Sequence, residues 1–289
     1  MPIEWDRVDA TIGQENRERL NRKRVAVAGL GSLGADIPVL LASCGVGKFT
    51  LIDGDTLNFK NLTRHRAGQK HVGSYKVAAI REMVRDKNSN ADIWAVAGNA
   101  ATQPELLGNC DLLIIAGLGS ERTQQRVAQA ARARGVPVFV AGVYSHAQGG
   151  EIFLVRPDHH LPCYSCFSSF IGRTTSPDDP ITHNFIYGVR EDQIESMPGL
   201  SVDIGIISTI TAKLALNFLL GREFHPDPRI NLLIYSTSYL KLGGLSNNKS
   251  QHMNPLDAQW IGLPKDPNCP VCSSEHRKHR TPLKDIFKS

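Results

Sequence analysis

Two groups of residues in this 289-residue chain have types and spacings that can do chemistry. The first is sulfur: Cys163 and Cys166 form one C-x-x-C, Cys269 and Cys272 form a second, and Cys44 and Cys110 stand alone. A two-residue spacer lets both thiolates of a knuckle reach one tetrahedral ion, so two knuckles complete a closed four-sulfur site for Zn²⁺. Four thiolates leave no coordination position for water, so the expected zinc is a structural staple and not a catalyst. Two redox pairs are the alternative, and they need a thioredoxin-like context that these segments lack. Because Cys163 and Cys269 are 106 positions apart, a shared ion would close a long loop and contribute directly to folding.

The second group is a glycine loop with charges behind it. Gly29-Leu-Gly31-Ser-Leu-Gly34 is a G-x-G-x-x-G whose glycines permit a tight turn, so that backbone N–H groups at a helix N-terminus face phosphate oxygens. Asp53 ends the next strand, where a carboxylate can accept from ribose hydroxyls. Then come Gly54-Asp55, Asn61-Leu-Thr-Arg64-His65-Arg66 and Val72-Gly73-Ser-Tyr-Lys76. The fingerprint alone fits a dinucleotide dehydrogenase, and a nicotinamide oxidoreductase stays open as an alternative. Cations packed directly behind the ribose carboxylate suit a triphosphate better, since phosphoryl chemistry places charge on the α-phosphate and on departing pyrophosphate. Each cation taken singly reads as a solvated surface residue; the inference rests on the whole string.

The elements that must position these groups alternate. Short β-branched runs at Arg24–Gly29, Lys48–Asp53, Ile93–Val96, Asp111–Ile115 and Val136–Ala141 read as buried strands. Helical spacing covers Ala35–Ser43, Lys76–Arg85 and Gln124–Arg134, and Arg7–Leu20 reads as a short amphipathic arm or helix. The expected fold is therefore α/β: a Rossmann-like, doubly wound, mostly parallel sheet with a C-terminal zinc-stapled β extension. We expect a single domain over 1–289. Residues 1–22 form an N-terminal arm, 23–155 a nucleotide-binding half, 156–272 a half with a crossover loop, a core helix and the knuckles, and 273–289 a basic tail. Glu151–Val155 reads as part of a β-hairpin, Thr174–Thr182 as a long loop, and Val202–Leu220 as a buried core helix too interrupted to span a membrane. A strand is expected at Asn231–Tyr235.

Composition narrows the class. With 41% hydrophobic and 21% charged residues the chain can bury a large core, and its first residues carry no apolar leader run. The reading is a soluble cytoplasmic protein. A net charge of +5 is mild and, outside the tail from His276 to Lys288, dispersed, so a nucleic-acid footprint is not expected.

The ordered string of Gly29-x-Gly-x-x-Gly34, Asp53-Gly-Asp55, Asn61-Leu-x-Arg64, Val72-Gly73-x-x-Lys76 and both cysteine knuckles resembles the ThiF, MoeB and HesA family, relatives of the ubiquitin-activating enzymes. The match runs over nearly the whole chain. The resemblance implies ATP-dependent adenylation of the C-terminal carboxylate of a ubiquitin-like or sulfur-carrier protein, with ATP, Mg²⁺ and a structural Zn²⁺. It implies that Asp53 binds the ribose, that Asn61, Arg64 and Lys76 contact phosphates, with Arg64 and Lys76 the catalytic cations, and that the glycine loop and Asp55 lie at the nucleotide. Arg7 would reach a partner's phosphates across a homodimer interface, Pro198–Gly205 would lead into the family's core helix, and the segment Phe167–Met197 would cross over a substrate tail. A downstream conjugating or sulfur-transfer protein, in a bacterial ubiquitin-like conjugation or sulfur-transfer pathway, is the implied recipient.

Three departures stand out. Family members usually hold Mg²⁺ with an aspartate in the turn after the strand at Asp111–Ile115, whereas here the turn is Ala116-Gly-Leu118-Gly-Ser120-Glu121, and leucine cannot coordinate a hard cation. Glu121 or Asp55 is the available substitute. His65 stands where glutamine is common and reads as a neutral variation in a polar loop. No cysteine lies between Cys166 and Cys269, so a thioester on this chain is not expected, and Cys44 and Cys110 read as core packing. The substituted turn keeps a second class of function open, a catalytically inactive pseudoenzyme that binds the carrier or an active partner. Adenylating relatives that act on RNA or peptides also remain open.

Overall fold

The computed structural model describes residues 3–107, 109–174, 198–222, 225, 227, 229–246 and 249–273. The loop expected beyond Thr174, the rest of the crossover segment to Met197 and the basic tail lie outside the described residues.

Five strands run parallel: β1 (Arg24–Ala28), β2 (Lys48–Ile52), β3 (Asp92–Val96), β4 (Leu112–Ala116) and β5 (Val138–Val143). Their spatial order is 3-2-1-4-5. Three further strands extend the same sheet with alternating direction: β6 (Gly149–Val155) against β5, β7 (Ile230–Ser236) against β6, and β10 (Ala258–Gly262) against β7. The C-terminal β extension is thus continuous with the nucleotide-type sheet. A separate hairpin pairs β8 (Leu240–Ser246) with β9 (Lys249–Met253).

Side-chain alternation along each strand feeds two cores. Val25 and Val27 of β1 point to one, Ala26 and Ala28 to the other. The first core is closed by α3 (Asp36–Ser43), α4 (Lys76–Lys87) and α7 (Ser201–Leu219), the second by α5 (Glu121–Ala133) and α6 (Tyr164–Thr174). Helices on both faces make the sheet doubly wound, as the alternation of strand and helix patterns requires. Helix α7 is long and apolar enough to cross a bilayer, but it packs on α3, β5 and β6, and its buried side chains belong to the first core.

Some local readings change. The arm is two helices, α1 (Asp6–Ile12) and α2 (Gln14–Arg22), broken at Gly13, whose φ of 84° belongs to the left-handed region. Arg17 folds them together by donating to Asp9 at 2.6 Å, and its guanidinium lies over the Trp5 ring. The start of the expected crossover segment, Phe167 to Thr174, belongs to helix α6. Cys44 caps α3 at its C-terminal end.

Candidate functional site

Chain order takes the sheet outward from β1 to β3, then back across β1 to β4, so the crevice beyond the C-terminal ends of β1 and β4 is a topological switch point. The glycine loop leaves β1 there, and the turn Gly117–Ser120 leaves β4. The two loops touch at Gly29 and Gly34. A Cβ on Gly29, whose φ is 88°, would lie 2.6 Å from the Ala116 carbonyl oxygen, and one on Gly34 would collide with the Gly29 carbonyl. Gly31 differs: a Cβ there would meet nothing within 4 Å, so it faces open space. The first bond of α-type spacing is Ala35 N–H to Gly31 O at 2.9 Å, which leaves the preceding amides ahead of the helical ladder.

Side chains from three elements fix this loop. Asp53, buried at the end of β2, accepts the Leu30 N–H on one oxygen at 2.6 Å and the Asp55 N–H on the other at 2.8 Å. His65, also buried, donates from Nε2 to the Leu30 carbonyl at 2.8 Å. Ser208, fully buried in α7, donates to the Leu33 carbonyl at 2.9 Å. Asp53 therefore anchors the loop whatever else it binds. The reading of His65 as a neutral loop variation is corrected by its burial and its two ring-nitrogen bonds. Its signal was its place inside the charged string; Ser208 had only its polarity in an apolar helix.

The charged string folds against the same loop. Residues 55–57 and 73–76 zip together through Thr56 opposite Tyr75, with Leu57 N–H to Ser74 O, Gly73 N–H to Leu57 O and Lys76 N–H to Asp55 O. Lys76 lies buried at the start of α4 with its ammonium 2.6 Å from the exposed carboxylate of Asp55. Asn61 caps a short turn reciprocally with Asn58, and its carbonyl accepts from the N–H groups of Arg64 and His65. Arg66 reaches Asp36 at 3.6 Å, whose carboxyl is raised above the usual range by burial and held back by that guanidinium. A chain of hydrogen bonds thus connects Gly29–Gly34 to Asp53, Asp55 and Lys76 on one side, and to Asn61 and the Arg64 backbone on the other.

Arg7 is not in this cluster. It lies exposed on α1, held through Asp9 and Arg17 against Gly45, just before β2 begins. That is the end of the sheet opposite the glycine loop, a strand length of roughly 17 Å away.

For Mg²⁺ the residues fit poorly. Leu118 packs against the second core. Glu121, raised by burial, meets the Ser168 hydroxyl on α6, and Asp55 holds Lys76. For zinc they fit well. The four knuckle sulfurs are buried and lie within 4.8 Å of one another. Cys163 to Cys166 is 3.9 Å, Cys163 to Cys269 3.6 Å and Cys166 to Cys272 3.5 Å. Sulfurs about 2.3 Å from a central ion in a tetrahedron sit about 3.8 Å apart, so the cage has the right size. The Asp266 N–H points at Cys166 Sγ at 3.5 Å. Buried Arg132, in the last turn of α5, donates to the carbonyls of Asp158 and Leu161 just before the first knuckle. Around the other end of α5, Gln124 and Gln125 contact Tyr164 and Ser165 of α6.

Comparison with known proteins bears on the family and the fold. Residues 6–257 match the model described as the ThiF family. The adenylyltransferase and sulfurtransferase uba4 of Aspergillus niger is 24% identical over 275 residues, covering 91% of this chain and 50% of the relative. The SAMP-activating enzyme E1 of Haloferax volcanii is 27% identical over 267 residues, covering 90% and 84%. A crystal structure of E. coli MccB with ATP shares the fold, with a TM-score of 0.62 at 17% identity over 89% of this chain and 68% of that one. The chain spans a third to a half of the Aspergillus relatives it matches.

Proposed function

This chain belongs to the ThiF family, and from that premise we propose that it is an ATP-dependent adenylyltransferase acting on the C-terminal carboxylate of a ubiquitin-like or sulfur-carrier protein. The observation that carries the reading is the hydrogen-bonded convergence of the glycine loop, Asp53 and Lys76 at the switch point of the sheet. The relatives named for adenylyl transfer and for activating SAMP supply the substrate class.

In this reading the first amides of α3 face the phosphates, Asp53 and Asp55 lie at the ribose side, and Asn61, Arg64 and Lys76 line the phosphate side. A carboxylate with an ordinary pKa is already ionised near pH 7, so no general base is required. One carboxylate oxygen bonds to the α-phosphorus as the bond to the bridging oxygen of pyrophosphate breaks, giving a mixed anhydride with AMP. The chain's work is alignment and cationic stabilisation of the departing charge. Lys76 can do this while bound to Asp55, because an ammonium has three donors. The stretch between the knuckles holds no thioester cysteine, so the adenylate passes to another protein's thiol or amine. Arg7, at the wrong end of its own sheet, would serve a second copy in a homodimer. Zinc held by Cys163, Cys166, Cys269 and Cys272 supplies structure alone, and reduced thiols of this kind fit the cytoplasm.

Leu118 and the engaged carboxylates of Asp55 and Glu121 favour a second reading, a fold that binds nucleotide or carrier without turnover. ATP–pyrophosphate exchange with a small ubiquitin-fold protein separates the two. Exchange that requires the added protein supports the enzyme; ATP binding without exchange supports the scaffold.

A further inference from the structure

We propose that His65 is the positioning residue of the glycine loop, turning the Gly31 amide toward the nucleotide by fixing the carbonyl of Leu30. This deepens the nucleotide reading and rests on it. In a trans peptide the C=O and the next N–H point in opposite directions. The Leu30 carbonyl is held toward His65 Nε2 at 2.8 Å, so the Gly31 N–H is aimed the other way, and beside it a Cβ added to Gly31 would meet nothing within 4 Å. Asp53 holds the Leu30 N–H at 2.6 Å, so the peptide groups on both sides of Leu30 are oriented by buried side chains.

The imidazole is in one protonation state. His65 Nδ1 accepts the Ala67 N–H at 3.0 Å, so Nδ1 carries no proton and the proton sits on Nε2. Protonating Nδ1 would set two donors against each other, and the ring could keep its place only by losing the Ala67 bond. Burial lowers the pKa of His65 most. Lys76 of α4 and His71 of the preceding turn push it the same way, while the Leu30 carbonyl and Asp53 at the end of β2 oppose them. With a folded value below the ordinary 6.5, the clamp is complete above about pH 6.5 and is lost as pH falls through that lower value.

The test uses His65→Gln and His65→Ala in the full chain. A glutamine amide can donate to Leu30 and accept from Ala67, and it does not titrate. Calorimetric titration with ATP between pH 5 and 8 should show wild-type affinity falling at the acid end more steeply than that of His65→Gln, whereas His65→Ala should bind about five- to tenfold more weakly even at pH 7.5. Without nucleotide, the Gly31 amide signal in ¹⁵N–¹H spectra should shift with pH in the wild type and stay still in His65→Gln. Identical pH profiles for wild type and His65→Gln in both measurements, or His65→Ala with wild-type affinity, would overturn the proposal. If no variant binds ATP but Gly31 still follows the His65 titration, the positioning role stands and the nucleotide reading fails.

Discussion

The sulfur cage and the glycine loop are both built from segments distant in sequence, but they are held by different physics. At the cage, four side chains from two knuckles meet around a volume that fits one ion, and without it four buried thiols are left to share protons. At the loop, the backbone itself is the functional part, and side chains from β2, the turn before α4, and α7 hold it through one hydrogen bond each. A cage of this kind is all-or-none, because removing one ligand removes the ion. A loop held by three separate side chains keeps two holds when one is removed, so it loses accuracy before it loses structure.

The largest expected effect tests the first half of that contrast. Cys269→Ser should lose zinc, measured by elemental analysis, and lower the unfolding temperature by roughly 10 °C or more. A metal-free wild type of full stability would break the comparison. Next, Lys76→Met should cut pyrophosphate exchange by roughly a hundredfold or more while the unfolding temperature moves only a few degrees. Loss of both in step would make Lys76 a fold residue. Leu118→Asp should raise exchange by about tenfold if a missing oxygen ligand limits the rate. An unchanged rate would remove that explanation.

A last test concerns the thiols outside the cage. Burial pushes Cys110 up to about 12, so iodoacetamide at pH 8 should modify it at least about a hundredfold more slowly than a free cysteine. A raised acid contributes stability that is complete below its unfolded value near 9 and is lost as pH rises toward 12. Labelling at the free-thiol rate would show that the segment before β4 opens locally.

What could be read in advance follows the same division. Strands β1 to β7, helices α3, α4, α5 and α7, and both knuckles were legible because their signals are periodic or depend on spacing: Val25 and Val27 alternate with Ala26 and Ala28, and each C-x-x-C carries its meaning in one motif. Strands β8, β9 and β10 were not read. The break at Gly13 was missed because a single positive-φ glycine hardly disturbs the spacing from Val8 to Leu20. His65 was misjudged because its role depends on the carbonyl of Leu30, 35 positions away. Arg7 was expected by resemblance to serve a partner's phosphates, and its place at the far end of its own sheet, set by the Asp9–Arg17 pair, has no signal in the spacing. Helix α6 begins inside its knuckle, directly after Cys163, and its serines resemble loop residues until Gln124, Gln125 and Glu121 of α5 are seen beside them.

Helix α5 is a stiff rod of thirteen residues, roughly 20 Å long, whose first turn abuts the Gly117–Ser120 bend and whose last turn grips the approach to the sulfurs through Arg132. Strut-like, it carries displacement lengthwise with little bending. Loss of the ion would therefore slacken the approach that Arg132 grips and leave that end of the strut less firmly seated.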